Sequence, residues 1–156
     1  MKSDQNIHVR EVGLRDGLQM VSTFFPTEEK LKWIAAECEA GVKEIEVTSF
    51  VPPKLIPQFS DAEEVALRSL QIPSLSVMTL VPNLKGAERA FAIGVHVVDF
   101  VVSVSRTHNL KNVRREREES LADFERIVSA RDAAGLKGRV KLAAGLSTAL
   151  GCSYEG

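Results

Sequence analysis

The chain has 156 residues, of which 44% are hydrophobic and 26% are charged, a composition typical of one globular domain with an apolar core. Its 20 basic and 21 acidic residues give a formal net charge of −1, so no global field would attract it to nucleic acid or to a membrane surface. The polar N-terminus lacks the apolar stretch of a signal peptide, and the two cysteines show neither a zinc-site spacing nor that of a disulfide framework. We therefore expect a cytoplasmic protein that binds neither nucleic acid nor membranes.

Apolar runs alternate with amphipathic segments along the chain, which predicts alternating strands and helices. Strands are predicted at residues 7–12, 45–49, 75–81, 95–104 and 140–146. Helices are predicted from an N-cap at Thr27 to a stop at Gly41, from Ser60 or Asp61 to about residue 70, at 85–93 and at 116–134. The Pro-rich stretch at 51–54 predicts a long loop after the second strand.

Repeated strand–helix units predict a parallel sheet with right-handed crossovers. Two architectures satisfy this pattern, a doubly wound open sheet and a β/α barrel. No glycine-rich dinucleotide-binding loop follows the first predicted strand. Polar side chains follow the carboxyl ends of the first four strands, which in a barrel face the mouth where sites form. We therefore favour the barrel.

Charged residues at the first two strands are the main candidates for chemistry. Asp16 follows the first strand and is a hard oxygen ligand suited to Mg²⁺ or Mn²⁺, while the adjacent Arg15 could hold a developing oxyanion. A solvated turn with an ion pair explains both residues equally well. Glu46 lies inside an apolar strand, where a carboxylate is costly unless it is paired. Facing inward it would lie beside Asp16 or Arg15, whereas an edge or outward position would leave it in solvent.

Several other polar residues have weaker signals. Asn83 and Lys85 open a helix directly after a strand, a position that suits either an anionic group or simple solvation. His8 and His96 fall near strand beginnings, so we interpret both as structural. His108 follows the fourth strand and could line the mouth, although a surface loop is the commoner position. The basic run at 111–117 could steer a phosphate-bearing ligand, and it lacks the interleaved aromatic residues that would indicate nucleic-acid binding.

Four segments resemble one family of enzymes. They read EVGLRDGLQ at 11–19, IEVTSFVPPKLIPQFSDAEEV at 45–65, LVPNLKG at 80–86 and ALGCSYEG at 149–156. In order and spacing they are similar to 3-hydroxy-3-methylglutaryl-CoA (HMG-CoA) lyases, metal-dependent enzymes with an Arg-Asp signature. The resemblance implies a TIM (β/α)₈ barrel. Such a barrel needs about 250 residues, so residues 1–156 would form its N-terminal portion, about five β/α units.

The resemblance also implies a role for each matching residue. Asp16 corresponds to a ligand of the divalent metal, Mg²⁺ or Mn²⁺. Arg15 corresponds to the arginine that stabilises the enolate formed on carbon–carbon cleavage, and Glu46 to a catalytic-site glutamate near that arginine. The residues implied to bind substrate are Gln19, Asn83 and Lys85.

The implied reaction is the cleavage of a 3-hydroxyacyl-CoA, HMG-CoA to acetyl-CoA and acetoacetate, as in leucine catabolism. Departures from the family pattern at Leu14, Met20 and Arg106 keep a related lyase, such as one for citramalyl-CoA, as an alternative. The family's remaining metal ligands and its catalytic cysteine come from later strands, and Cys152 is not that cysteine. We therefore expect this chain alone to be inactive, and unstable or associated as a homo-oligomer; the competing class is a non-catalytic fragment.

Overall fold

The computed structural model describes residues 8–156. Its strands are β1 (Arg10–Glu11), β2 (Glu44–Ser49), β3 (Ser76–Leu80), β4 (Val97–Ser103) and β5 (Lys141–Ser147). Its α-helices are α1 (Thr27–Glu39), α2 (Ala62–Ser69), α3 (Leu84–Ile93), α4 (Arg106–Val113) and α5 (Arg117–Ala133). A single-turn π-helix spans Gly13–Gly17, and a short 3₁₀ helix spans Pro57–Phe59.

All strand pairs are parallel, and the strand order across the sheet is β1-β2-β3-β4-β5. A doubly wound sheet reverses its strand order at a switch point, and no reversal occurs among the described strands. The sequential order is that of a β/α barrel wall. The barrel prediction is confirmed, and the five strands form half of such a barrel.

The apolar core lies between the sheet and the helices. Val65, Val77, Val98 and Ile127 are fully buried there, and Phe100 of β4 stacks on Phe124 of α5 with ring centroids 5.6 Å apart. Successive side chains of a strand point to opposite faces. The residues next to Val77 and Val98 along their strands therefore point away from the helices. The second face of the sheet is the barrel interior, and the buried Glu46 carboxylate lies on it.

The predicted helix stop at Gly41 is confirmed, and Gly94 and Gly135 follow the ends of α3 and α5 in the same way; the three φ angles are +99°, +85° and +68°. These left-handed conformations cost glycine nothing because it has no Cβ. The predicted N-cap at Thr27 is wrong. Pro26 precedes the helix and Thr27 is its first residue, with its hydroxyl donating to Asp61 Oδ2 at 2.7 Å.

Two further differences concern the ends of β1 and β4. The first strand is short, Arg10–Glu11, and residue 7 of the predicted strand lies outside the described residues. The sequence predicts no helix between β4 and residue 116, yet α4 occupies Arg106–Val113. Its only buried residue is Asn109, so it lacks the apolar periodicity on which helix prediction depends. It is instead fixed by polar contacts, beginning with Ser105, whose side chain accepts from His108 N at 3.0 Å.

Candidate active site

The Arg15-Asp16 segment lies in the π-helix at the carboxyl end of β1. Val12 O accepts from the backbone N–H of Arg15 at 3.0 Å and of Asp16 at 2.7 Å, while Leu14 is buried and anchors the turn. Gly13 is needed by the close packing beneath it, since a Cβ there would lie 2.9 Å from the Trp33 ring. A tight, anchored turn therefore projects the arginine and the aspartate from the strand end, where π-helical turns often occur at functional sites.

Arg15 bridges the two candidate carboxylates. Its Nε donates to Glu46 Oε2 at 2.6 Å and its Nη1 to Asp16 Oδ1 at 2.8 Å. Glu46 therefore faces inward from β2 beside Arg15, as predicted, with 1% of its side chain exposed. Among the described residues no acceptor binds Arg15 Nη2, so this nitrogen is available to an oxygen of a bound molecule. The Arg15 side chain is only 16% exposed, whereas Asp16 is 60% exposed, so the ion pair of this turn has one partly buried and one solvated member.

Burial dominates the electrostatics of Glu46. It raises the pKa of this carboxyl above its ordinary value, even though the Arg15 charge and hydrogen bond oppose the shift. Glu46 Oε1 is buried without a hydrogen-bond partner among residues 8–156. Asp99 of β4, on the same interior face, contributes repulsion, and burial raises its own pKa as well. Glu46 thus holds the Arg15 guanidinium in a low-dielectric setting, where that positive charge would act strongly on a developing negative charge.

A cavity of about 710 Å³ opens beside this pair. Arg15, Asp16 and Gln19 contribute to its lining, as does Asn83 at the start of α3. Asn83 Oδ1 also accepts from Gly86 N at 3.0 Å and caps the helix, which leaves its amide nitrogen for a ligand. Lys85 is exposed and does not line the cavity. The structure therefore brings together five of the six predicted site residues (Arg15, Asp16, Gln19, Glu46 and Asn83) and leaves Lys85 outside; their roles stay predictions.

His108, for which a surface loop was the commoner expectation, lies in the cavity wall. His108 lines the cavity and its Nδ1 lies 2.7 Å from Ser103 Oγ. Its only sequence signal was its position after a strand, and the missed helix α4 is what turns it toward the mouth. His96 accepts from Val77 N through Nδ1 at 3.0 Å, a contact that holds neighbouring strand ends together.

Asp16 is the residue whose chemistry fits the predicted metal ligand. The Asp16 side chain is 60% exposed, and a carboxylate of this kind is a suitable ligand for a hard cation. Within residues 8–156, no group of three or more His, Cys, Asp or Glu side chains could hold a metal ion. These residues therefore fit one ligand position and do not form a complete site.

Within residues 8–156, no helix has the length and apolar character needed to cross a membrane.

The chain is similar to HMG-CoA lyases over nearly its whole length. It is 37% identical over 155 residues to hydroxymethylglutaryl-CoA lyase YngG of Bacillus subtilis, covering 99% of this chain and 50% of the relative. It is 39% identical over 152 residues to the mitochondrial hydroxymethylglutaryl-CoA lyase of Homo sapiens, covering 97% of this chain and 46% of the relative. The chain thus spans about half the length of the curated relatives it matches.

Solved structures give the same result. The HMG-CoA lyase of Bacillus subtilis matches with a TM-score of 0.86 at 37% identity, over 96% of this chain and 49% of that one. An HMG-CoA lyase of Acinetobacter baumannii, in complex with coenzyme A and 3-methylmalate, matches with a TM-score of 0.83 at 37% identity, over 96% and 47%. The HMGL-like family model matches residues 6–155. The chain therefore belongs to the HMGL-like family.

Proposed function

We propose that this chain carries the Arg15 half of the active site of a carbon–carbon lyase that cleaves a 3-hydroxyacyl-CoA, with HMG-CoA as substrate. The observation that carries the proposal is the Arg15–Glu46 pair, 2.6 Å between Nε and Oε2, held at the edge of the cavity beside Asp16. Membership of the HMGL-like family and the coenzyme A bound to the Acinetobacter relative support an acyl-CoA substrate.

The chemistry needs a cation at the thioester. When a base removes the proton of the substrate's tertiary hydroxyl, its oxygen forms a carbonyl. The adjacent carbon–carbon bond then breaks, and its electron pair moves to the thioester fragment as an enolate. Arg15 Nη2 donates to the enolate oxygen and lowers its energy. Glu46 fixes the guanidinium through Nε, so the donor is oriented before the charge develops. Protonation of the enolate carbon then gives acetyl-CoA, and the other product is acetoacetate.

The proposal includes a divalent cation, Mg²⁺ or Mn²⁺, with Asp16 as one of its ligands. A bound cation would supply Lewis acidity that makes the substrate hydroxyl easier to deprotonate. Support comes from the chemistry of the donor, an accessible carboxylate beside the cavity. The other ligands must come from outside residues 8–156.

A cleavage assay tests the proposal. The chain is fused to the half of the Bacillus subtilis lyase that it does not cover, and HMG-CoA and citramalyl-CoA are offered with Mg²⁺, with Mn²⁺ and with EDTA. We expect metal-dependent release of acetyl-CoA and acetoacetate from HMG-CoA by the fusion and no turnover by the 156-residue chain alone. Cleavage of citramalyl-CoA in preference would keep the reaction class and change the substrate. A folded fusion that cleaves neither would contradict the proposal.

A further inference from the structure

We infer that the carboxyl-terminal end of α4 binds the phosphate groups of the acyl-CoA through Lys111 and Arg114. The inference rests on the proposed function for the identity of the ligand, and on the charges of this surface for its location. An acyl-CoA carries a diphosphate and a 3′-phosphate at the end remote from its thioester, so a site for it needs cations away from the reacting atoms.

The cavity that contains the Arg15 pair extends to α4. Its wall on that side includes Lys111, Asn112, Arg114 and Arg115, while Arg15 and Asp16 lie on the wall formed by the π-helix. One continuous space therefore joins the predicted enolate-binding arginine to a group of cations on another element. This is the arrangement that a long ligand with a reactive end and an anionic end requires.

The cations of this group differ in whether they are already paired. Arg115 Nη1 donates to Asp123 Oδ2 at 2.9 Å, and Asp123 is buried. Lys111 and Arg114 are both exposed, and within residues 8–156 neither makes an ion pair. Three positive charges within five residues repel one another, and Asp123 neutralises only one. An anion bound between Lys111 and Arg114 would relieve that repulsion.

The backbone at Arg114 points to a role for its side chain. Arg114 ends α4 with φ +57° and ψ +37°, a left-handed conformation usually taken by glycine or asparagine at this position. A residue with a Cβ adopts it at an energetic cost, and such conformations concentrate at ligand-binding positions. Arg114 therefore places a charged side chain at a position where glycine would carry no such cost.

Lys111 is held in place by the C-terminal segment. Its Nζ lies 4.0 Å from the centroid of the Tyr154 ring, a cation–π contact that limits the freedom of the long side chain. The neighbouring Glu155 Oε1 accepts from Thr107 N at 2.7 Å at the start of α4. The segment thus fixes both α4 and its lysine, which lowers the entropy lost when Lys111 binds an anion.

Calorimetric titration of the full chain with coenzyme A tests the inference. The double variant Lys111→Ala/Arg114→Ala removes the proposed site. The matched control, Lys43→Ala/Arg139→Ala, removes two exposed cations that precede β2 and β5 at the opposite end of the sheet. We expect the first variant to bind coenzyme A about tenfold more weakly, by the usual worth of two exposed charge pairs, and the control to bind like wild type. Pantetheine, which lacks all the phosphates of coenzyme A, should bind wild type and variant equally.

Equal affinity of coenzyme A for the wild type and for the Lys111/Arg114 variant would overturn the inference and leave the proposed lyase function intact. An equal loss in the control variant would overturn it too, because the effect would then be one of net charge. No binding of coenzyme A by the wild-type chain also overturns it. The cleavage assay of the fusion then decides separately whether the lyase function stands. Circular dichroism of each variant excludes unfolding as the cause of a loss.

Discussion

Replacing Arg15 with glutamine should cost stability in a pH-dependent way. The substitution leaves Glu46, 1% exposed, without the donor 2.6 Å away. An unpaired buried carboxylate can take up a proton instead of staying charged. Its cost at pH 7 is therefore at most the free energy of protonating a group with an ordinary pKa near 4.3, which is about 4 kcal/mol at about 1.36 kcal/mol per pH unit. Burial already raises the pKa of Glu46 in the wild type, which means that part of this cost is present before the change. We expect a loss of about 2 kcal/mol at pH 7 and under about 1 kcal/mol at pH 5.

Urea titrations followed by circular dichroism at both pH values measure this difference. The sign follows from the raised pKa, because a carboxyl protonated more readily when folded gives stability that is lost as the pH rises. Arg10→Gln is the matched control, since Arg10 Nε lies 2.6 Å from Glu44 Oε1. Burial tends to raise the pKa of Glu44 too, but Arg10 and Ser76 outweigh it and the net shift is downward. Arg10→Gln removes this lowering of the Glu44 pKa. Its loss of stability should therefore be smallest at acidic pH, where Glu44 is protonated in any case. A cost for Arg15→Gln that is equal at pH 5 and pH 7 would show that the charge of Glu46 does not depend on Arg15.

Three further variants test other parts of the account. Lys30 is 2% exposed and donates to Asp61 Oδ1 and to Gln58 O, each at 2.6 Å, so Lys30→Met should lower the free energy of unfolding by about 3 kcal/mol in urea titrations; a loss below about 1 kcal/mol would contradict the burial of this pair. Asp16→Asn should change stability by less than about 0.5 kcal/mol because the side chain is exposed, while abolishing metal-dependent cleavage by the fusion; retained cleavage would exclude Asp16 as a ligand. The Thr107 hydrogen bonds hold the pKa of Glu155 at about 2, so its stabilisation is present above its ordinary pKa and is lost as the pH falls towards 2. Glu155→Gln should remove this acid-dependent loss, measured as hydrogen exchange at Thr107, and parallel profiles for both proteins would contradict it.

The fold could be predicted because its signals are local and repeated. Each helix stop at glycine and each apolar strand is visible without tertiary information, and the position of polar residues after strand ends separates the barrel from the doubly wound sheet. The inward position of Glu46 was also predictable, since a carboxylate in an apolar strand needs a partner. The sequence left its neighbour open between Asp16 and Arg15, and the structure shows that Arg15 is the hydrogen-bond partner.

The errors arose where tertiary contacts override local preference. Threonine is a residue type that often caps helices, but the Thr27 hydroxyl donates a hydrogen bond to Asp61, which precedes α2. Helix α4 is held by Ser105, Asn109 and Glu155, which no periodicity reveals. The sequence placed His108 after a strand and Lys111 in a basic run, but without α4 it could not show that both line one cavity. Lys85 lies in the same LVPNLKG segment as Asn83 and does not line the cavity that Asn83 lines, and its role in substrate binding stays a prediction.

In the proposed active site, Arg15 is oriented by Glu46 and stabilises the enolate. The kcat of the fusion on HMG-CoA with Arg15→Gln measures this role, and Arg10→Gln, which alters an ion pair of the same length at the opposite end of the strands, is its control. Loss of a donor to a developing oxyanion should lower kcat at least about 100-fold with little change in KM, while Arg10→Gln stays within about threefold of wild type. Equal kcat values for the two folded variants would contradict the claim.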